Sequence, residues 1–261
     1  MKYKTIELNN STMKLYQLEG YIQSIFIVEN NGCFMLLDGC TRADVVTVQR
    51  FITEVKGQPL TQLKVVMVTH MHPDHAGAAA KLRQLTGCKV VMGKYERDWY
   101  RGFEGALMHW TDMALTRWVA KRKRKPLKNI WYWGKLKPDL RLADGDLIPG
   151  FEQWQVIETH GHTDRDISIY HQPSKKMYVA DLFVYVRKKV IPPYPVFHPN
   201  RYRRSLQKVK KMNCRAFLLA HDGEVMASEA DFEQLIAKAP KIPVTYWRSI
   251  KSKFNKSFNL N

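Results

Sequence analysis

Val65-Val66-Met67-Val68-Thr69-His70-Met71-His72-Pro73-Asp74-His75-Ala76-Gly77 begins as an unbroken apolar, β-branched run and ends in four metal-capable side chains within six positions. Val65 to Val68 is apolar without alternation and too short for a helix, which predicts a strand buried on both faces. Ala76 to Leu85, closed by Gly87, predicts a helix. Residues 70–75 are therefore expected on the turn between the two, where an open α/β sheet places its site. His70 and His72 are two apart, so extended backbone points both the same way, toward one cation. Asp74 and His75 then project from the following turn toward a neighbouring position. Three imidazoles and a carboxylate suit zinc, iron or manganese better than calcium or magnesium. A lone histidine at a strand end is usually a hydrogen-bonded loop residue. Four such groups together are not explained that way.

The rest of the chain bounds the reading. Its 261 residues can bury a large core, and one α/β domain of that size is ordinary. The four cysteines (Cys33, Cys40, Cys88, Cys214) form no CxxC and no small-domain disulfide pattern, and Cys33 and Cys40 read as buried thiols around a strand. Residues 1–7 lack the apolar core of a signal peptide, and no apolar run reaches 18 residues, so a soluble, cytoplasmic chain is expected. The net charge of +18 is unevenly spread. Segments 117–141, 187–211 and 241–261 hold 24 of the 42 lysines and arginines and one of the 24 acids. The remainder is mildly acidic, so the basicity belongs to particular segments.

Segments 3–8, 13–18, 22–28 and 33–38 read as strands, with Asn30-Asn31-Gly32 as a tight hairpin connection. Residues 43–55 read as an amphipathic helix with Val45, Val48, Ile52 and Val55 inward. A short strand at 89–92 completes a first half in which helices cover packed sheets. Residues 94–137 interrupt this as one or two helices and a loop. There Leu107, Trp110, Ala114, Leu115, Trp118 and Val119 recur at helical spacing before the run Lys121 to Lys125. These tryptophans are expected to pack the insert onto the core; a substrate-facing lid or a membrane-surface contact is the other reading. Strands near 139–142, 152–159, 166–171, 176–181 and 215–220 follow, with helices at 200–212 and 228–238, the latter capped by Ser228 with Asp231 three later. Ile191 to Pro195 is too proline-rich for regular structure. In the tail, Trp247, Ile250, Phe254 and Phe258 recur at three and four, which suggests a helix docked on the fold, with a surface-seeking helix as the other reading.

His70-Met71-His72-Pro73-Asp74-His75 resembles the HxHxDH signature of the metallo-β-lactamase-fold hydrolase superfamily. Matches continue in that family's order: Asp38 in Leu36-Leu37-Asp38-Gly39, His162 in Gly161-His162-Thr163, Asp181 in Ala180-Asp181-Leu182-Phe183, and His221 in Ala220-His221-Asp222-Gly223. The resemblance spans roughly residues 20 to 225. It implies an α/β fold, a four-layer αββα sandwich, with 1–240 as a single domain, 94–137 as its helical insert or lid, and 241–261 as a basic tail. It implies that His70, His72 and His162 form one metal position, that Asp74, His75 and His221 form a second, and that Asp181 bridges them. The cofactors implied are two divalent metal ions, zinc first, with iron or manganese as alternatives. Two such cations, about 3.5–4 Å apart, share and activate a water and polarise the scissile group. Asp74 is the catalytic candidate, orienting the hydroxide and moving a proton, and Asp38 is placed to orient a ligand histidine.

Within the family, a bridging aspartate marks glyoxalase-II-like thioesterases, lactonases and phosphodiesterases rather than true β-lactamases. His72 stands where the oxygen-reducing flavodiiron branch carries glutamate. Departures are His160 before Gly161, Ala180 in place of a common glycine, and Asp222-Gly223 after His221. Tyr185 and Tyr194 fall near a lactonase substrate tyrosine without matching its spacing. His109, His171 and His198 carry no motif and read as structural or exposed.

The expected activity is hydrolysis of an ester, thioester or lactone bond of a small, anionic substrate by a dinuclear metal centre. The alternative is a phosphodiesterase acting on a phospholipid or nucleic acid, and a third reading is a non-catalytic binding protein. The expected partners are a small-molecule substrate and, through the three basic segments, an anionic membrane surface or nucleic acid.

Overall fold

In the computed structural model, which describes residues 2–245, Leu63–Val68 is a strand at the middle of a seven-stranded sheet. That sheet consists of β1 (Tyr3–Ile6), β2 (Lys14–Glu19), β3 (Ser24–Asn30), β4 (Cys33–Leu36), β5 (Leu63–Val68), β6 (Lys89–Gly93) and β7 (Leu140–Leu142), lying side by side in chain order. Pairing is antiparallel from β1 to β4 and parallel from β4 to β7. Asn31 and Gly32 both take positive φ between β3 and β4, as a two-residue hairpin turn requires.

The second sheet contains β8 (Leu147–Ile148), β9 (Phe151–Glu158), β10 (Ile167–His171) and β11 (Lys176–Ala180). A small hairpin, β12 (Val184–Val186) with β13 (Lys189–Ile191), stands apart. β14 (Ala216–Leu219) and β15 (Gly223–Val225) then complete the sheet in the order β15-β14-β11-β10-β9-β8. Only β11 and β14 pair in parallel.

The helices are α1 (Val45–Arg50), α2 (Pro73–Ala76), α3 (Ala79–Thr86), α4 (Gly102–Arg122), α5 (Pro199–Lys211) and α6 (Glu229–Lys238). Three apolar layers hold these parts together. Phe26, Met35, Val65 and Met67 meet Trp154, Ile169, Tyr178 and Leu218 between the sheets. Val66, Val68, Phe34 and Leu36 face outward onto Val48, Phe51, Ala79 and Leu82 of the helical layer. Met177, Val179 and Phe217 pack onto Tyr202, Leu206 and Phe232 of α5 and α6. This is a four-layer αββα sandwich. The unalternating run in β5 is explained by it: Val65 and Met67 enter the inner core while Val66 and Val68 enter the outer one. Each such side chain removed from water contributes about 1.5–3 kcal/mol.

Several expectations are corrected. The helix after β5 starts at Pro73 and is broken at residues 77–78, because proline with its fixed φ is suited to the first helical position. Asp74 and His75 therefore lie in a first helical turn. Residues 42–55 are a 3₁₀ turn, α1 and a π turn, which brings Phe51 inward and leaves Val55 exposed. The insert holds one helix, α4, and its tryptophans do not pack onto the core. Its inward face is instead Gly105, His109, Asp112, Met113, Thr116 and Ala120. At Gly105 a β-carbon would lie 2.3 Å from the Tyr100 carbonyl carbon, so the start of this face passes too close to Tyr100 for any side chain. Val244 forms an isolated antiparallel bridge with Val196. Among the described residues, no helix is long and apolar enough to cross a membrane. The expected tail helix at Trp247 to Phe258 lies outside the described residues.

Candidate metal centre

Four chain segments meet where strands of both sheets end. β5 leads into Thr69-His70-Met71, His72 is the N-cap of α2, and Pro73 is its first residue. β9 leads into the loop carrying His162. There the Asp166 carboxylate accepts from the backbone N–H of Gly161 (3.0 Å) and of Thr163 (2.6 Å). Gly161 has φ +150°, and a β-carbon on it would sit 2.3 Å from the Tyr202 Cα, so only glycine lets the loop pass beneath α5. β11 ends in an irregular register at Ala180, whose φ of +46° turns the chain into Asp181. His221 occupies the short turn between β14 and β15.

All seven expected ligands converge in two groups, one of His70, His72, His162 and Asp181, the other of Asp74, His75 and His221. In the first, His72 Nδ1 lies 3.0 Å from both His70 Nε2 and His162 Nε2, and His162 Nε2 lies 3.6 Å from Asp181 Oδ2. In the second, Asp74 Oδ2 lies 3.7 Å from His75 Nε2 and 3.5 Å from His221 Nε2. Asp181 Oδ1 is 3.5 Å and 3.6 Å from the same two nitrogens. Asp181 thus offers one oxygen to each group. A regular tetrahedron with edges of these lengths has its centre about 1.8–2.3 Å from each corner, a range that brackets the bond length of zinc to imidazole or carboxylate.

The protons agree with that fit. His162 Nδ1 donates to the Pro195 carbonyl (2.6 Å), which can only accept, so its Nε2 lone pair faces the cluster. Thr69 Oγ1 donates to Asp38 (2.7 Å), so it accepts from His70 Nδ1 at 3.1 Å, with the same result for His70 Nε2. Burial, reinforced by neighbouring imidazoles, holds His70 and His72 well below the ordinary histidine range. Burial also disfavours charge on His75, but Asp74, Asp38 and Asp181 outweigh it and hold His75 well above that range. For Asp181 burial is outweighed by His75, His221 and His162, which keep its carboxyl well below the usual carboxylate range. His72 Nε2, His75 Nε2 and Asp181 Oδ1 are buried without a hydrogen-bond partner. Lone pairs and carboxylates packed this closely are costly unless cations sit among them, so the residues fit divalent metal ions.

Around the donors lies a supporting shell. Asp38 accepts from His75 Nδ1 (2.5 Å), Thr69 Oγ1 and the Tyr178 hydroxyl (3.0 Å), and also from the backbone N–H of Thr69 and Gly39. Its orienting place was expected. Asp112 was not: from α4 its Oδ2 reaches to 3.8 Å from His72 Nε2 and accepts from the Tyr100 hydroxyl at 2.8 Å. Tyr132 donates to the Met71 carbonyl, between His70 and His72, and the Tyr100 hydroxyl oxygen lies 3.2 Å from the same carbonyl. An acid on a largely apolar helix was the one signal available for Asp112, and nothing in the sequence tied it to the site.

A cavity of about 170 Å³ opens over the donors. His72, Asp74, Asp181 and His221 form its floor, and Leu115, Thr116 and Val119 of α4 form one wall. Tyr194 lines it too, whereas Tyr185 packs against the outer core. His160 turns elsewhere, into a cavity with Arg201, Arg204 and Lys208. His109 is buried among Tyr100, Trp131 and Tyr132, and His171 beneath Trp154. The Asp222-Gly223 departure leaves His221 within the second group, with Gly223 at φ +92° opening β15.

Comparison with known proteins agrees with this architecture. The family model described as Metallo-beta-lactamase superfamily matches residues 18–242. Hydroxyacylglutathione hydrolase of Nitrobacter hamburgensis is 28% identical over 117 residues, which are 44% of this chain and 32% of that protein. This chain thus matches about a third of the length of that curated relative. A metallo-beta-lactamase family protein from Thermus thermophilus superposes with a TM-score of 0.61 at 18% identity, covering 82% of this chain and 73% of its own. The apo chemotaxis sensor ODP from T. denticola superposes with a TM-score of 0.60 at 13% identity, covering 95% of this chain and 98% of its own.

Proposed function

The chain belongs to the metallo-beta-lactamase superfamily, and from that membership we propose that it is a dinuclear metal-dependent hydrolase of a small ester, thioester or lactone. The observation that carries the reading is Asp181, with one carboxylate oxygen toward each donor group. A fold shared with a sensor does not by itself decide for catalysis. The donor set and the hydrolase names of the relatives support it. His70, His72 and His162 would hold one ion, Asp74, His75 and His221 the other, and Asp181 both.

Divalent cations bound there lower the pKa of water and polarise the scissile group. The chain's own residues do the rest. Asp74, on the cavity floor, accepts the proton of the attacking water and returns it to the leaving group. Asp38, Thr69 and the Pro195 carbonyl fix which imidazole nitrogens carry protons. Leu115, Val119 and Tyr194 line the cavity above these groups and would contact a bound substrate. Beside His221, a second cavity lined by Lys2, Lys4, Lys123 and Lys125 suits an anionic part of the substrate. The same lysines favour the alternative reading, cleavage of a phosphodiester.

The test is metal content followed by turnover. Protein purified with zinc, iron or manganese should carry about two ions per chain, and fewer than one would sink the reading. Thioesters, lactones and a bis-aryl phosphate then rank the substrate classes, with the bis-aryl phosphate leading if the alternative holds. The double variant His72→Ala, Asp181→Ala should abolish hydrolysis, and unchanged rates would show the site to lie elsewhere.

A further inference from the structure

The outer face of α4 is apolar where a surface helix should be polar. Phe103, Leu107, Trp110, Ala114 and Trp118 recur at intervals of three and four, on the side away from the core. Phe103 is 86% exposed, Trp110 58% and Trp118 53%. The following loop adds Leu127 at 86% and Trp133 at 68% to the exposed apolar groups of the insert. Of the six tryptophans among the described residues, four are exposed and all four lie in this insert. Trp131 packs against Trp110 with ring centroids 5.3 Å apart and planes tilted by 47°, so the loop and the helix form one patch. A monomer seldom leaves so many large apolar groups together in water.

The charge around the patch says what covers it. From Arg117 to Lys128 there are seven lysines and arginines and no acid; Lys123, Lys125 and Lys128 turn to the Ile22 carbonyl, Glu19 and the Tyr21 ring, which leaves Arg117, Lys121, Arg122 and Arg124 beside the patch. Arg122 lies over the Trp118 ring at 4.7 Å, its charge held beside the apolar stripe. A second copy of this chain docked face to face would oppose one positive rim to another, so self-association is disfavoured. Single-stranded nucleic acid would satisfy the charge and stack on the aromatic rings, but it gives Leu107 and Leu127 no matching aliphatic layer. An anionic bilayer satisfies both: acyl chains take the aliphatic groups, the headgroup boundary takes the tryptophans, and acidic headgroups take the basic rim.

We infer that the outer face of α4, with the loop through Trp133, is a peripheral docking surface for an anionic lipid bilayer. Leu115, Thr116 and Val119 of the same helix line the cavity over the metal donors, so the helix that docks also forms a wall of that cavity. The surface is read by binding without turnover, and it stands apart from the hydrolase reading.

The full chain is mixed with vesicles of phosphatidylcholine and phosphatidylglycerol (3:1) and with pure phosphatidylcholine vesicles, and sedimentation is measured in low salt and in 0.5 M NaCl. Binding should require phosphatidylglycerol and weaken at least about tenfold in high salt. Tryptophan emission should shift to the blue and be quenched by brominated acyl chains. The double variant Trp110→Ser, Trp118→Ser alters only exposed groups, and its circular dichroism should match the wild type. Its vesicle affinity should fall at least about thirtyfold. Lys121→Gln with Arg122→Gln should lower affinity without moving the emission of the bound form. Failure to sediment with either vesicle overturns the inference. So does vesicle binding that survives the tryptophan substitutions, which would place the contact in another basic segment. RNA binding lost with the same tryptophans, in a chain that ignores vesicles, would assign the face to nucleic acid instead.

Discussion

Asp38 shows how much of the site depends on one carboxylate that touches no substrate. It fixes the His75 ring, the Thr69 hydroxyl that in turn fixes His70, and the turn after β4. Replacing it by asparagine puts an N–H donor opposite His75 Nδ1 and forces the proton onto Nε2, the nitrogen that faces Asp74 and Asp181. Asp38→Asn should therefore weaken the second metal ion by about 10–100-fold in chelator competition, with the fold retained. Unaltered affinity for both ions would contradict the assignment. A second residue-scale prediction concerns pH. His171 is fully buried between Ser174 and Gln153, and burial with nearby Lys176 pushes it down to about 4. The unfolded chain takes up a proton below about 6.5 while the folded one does so only near 4, so stability falls as pH drops through that window. The wild type should lose about 2 kcal/mol more than His171→Gln between pH 6.5 and 4.5, read from urea midpoints. Parallel losses in the two proteins would refute the role.

At the scale of elements, α6 is held by its start. Ser228 Oγ accepts from the Asp231 backbone N–H at 3.2 Å, and the Asp231 carboxylate accepts from the Ser228 N–H at 2.8 Å. Ser228→Ala should cost about 1 kcal/mol of stability and leave hydrolysis alone, since α6 packs on the outer face of the second sheet. Lost activity in a folded Ser228→Ala would mean that α6 reaches the site after all. Gly161→Ala should do the reverse of a silent change. Its β-carbon cannot fit under Tyr202, so the His162 loop must move and the first metal position should lose occupancy. The capping box of α6 was legible in the sequence, as were β5 and the Asn31-Gly32 turn, because each is a local pattern with a local cause, whereas His162, Asp181 and His221 were tied to residues 70–75 only through the family resemblance. What stayed hidden was set by distant contacts. β12 and β13 are too short to show a period, and Asp112 becomes a neighbour of His72 only through tertiary packing. The insert misled for a definite reason. Helical spacing reveals that α4 has two faces, but both are apolar enough that the pattern does not say which is inward.

Across the whole molecule, the donor cluster joins the two sheets. His70, His72, Asp74 and His75 follow β5 of the first sheet, while His162, Asp181 and His221 follow β9, β11 and β14 of the second. The inner core of Met67, Trp154 and Tyr178 already binds the sheets along their length, so the cluster's contribution is confined to one edge. There, two carboxylates and five imidazoles meet, and without cations burial disfavours charge on His70 and His72 while the neighbouring carboxylates hold His75 cationic. A bound ion favours the folded state by mass action, about 2.7 kcal/mol when its free concentration is a hundredfold above Kd. For a domain of this size, that corresponds to a rise of about 5–10 °C in Tm. Stripping metal with a chelator should lower Tm by that amount, and zinc added in excess of the chelator should restore it. The shift should shrink by roughly half in Asp38→Asn, where one ion is weakened, and vanish in His72→Ala, Asp181→Ala. Equal melting with and without chelator, in protein shown to carry metal beforehand, would mean that the cluster does not couple the sheets.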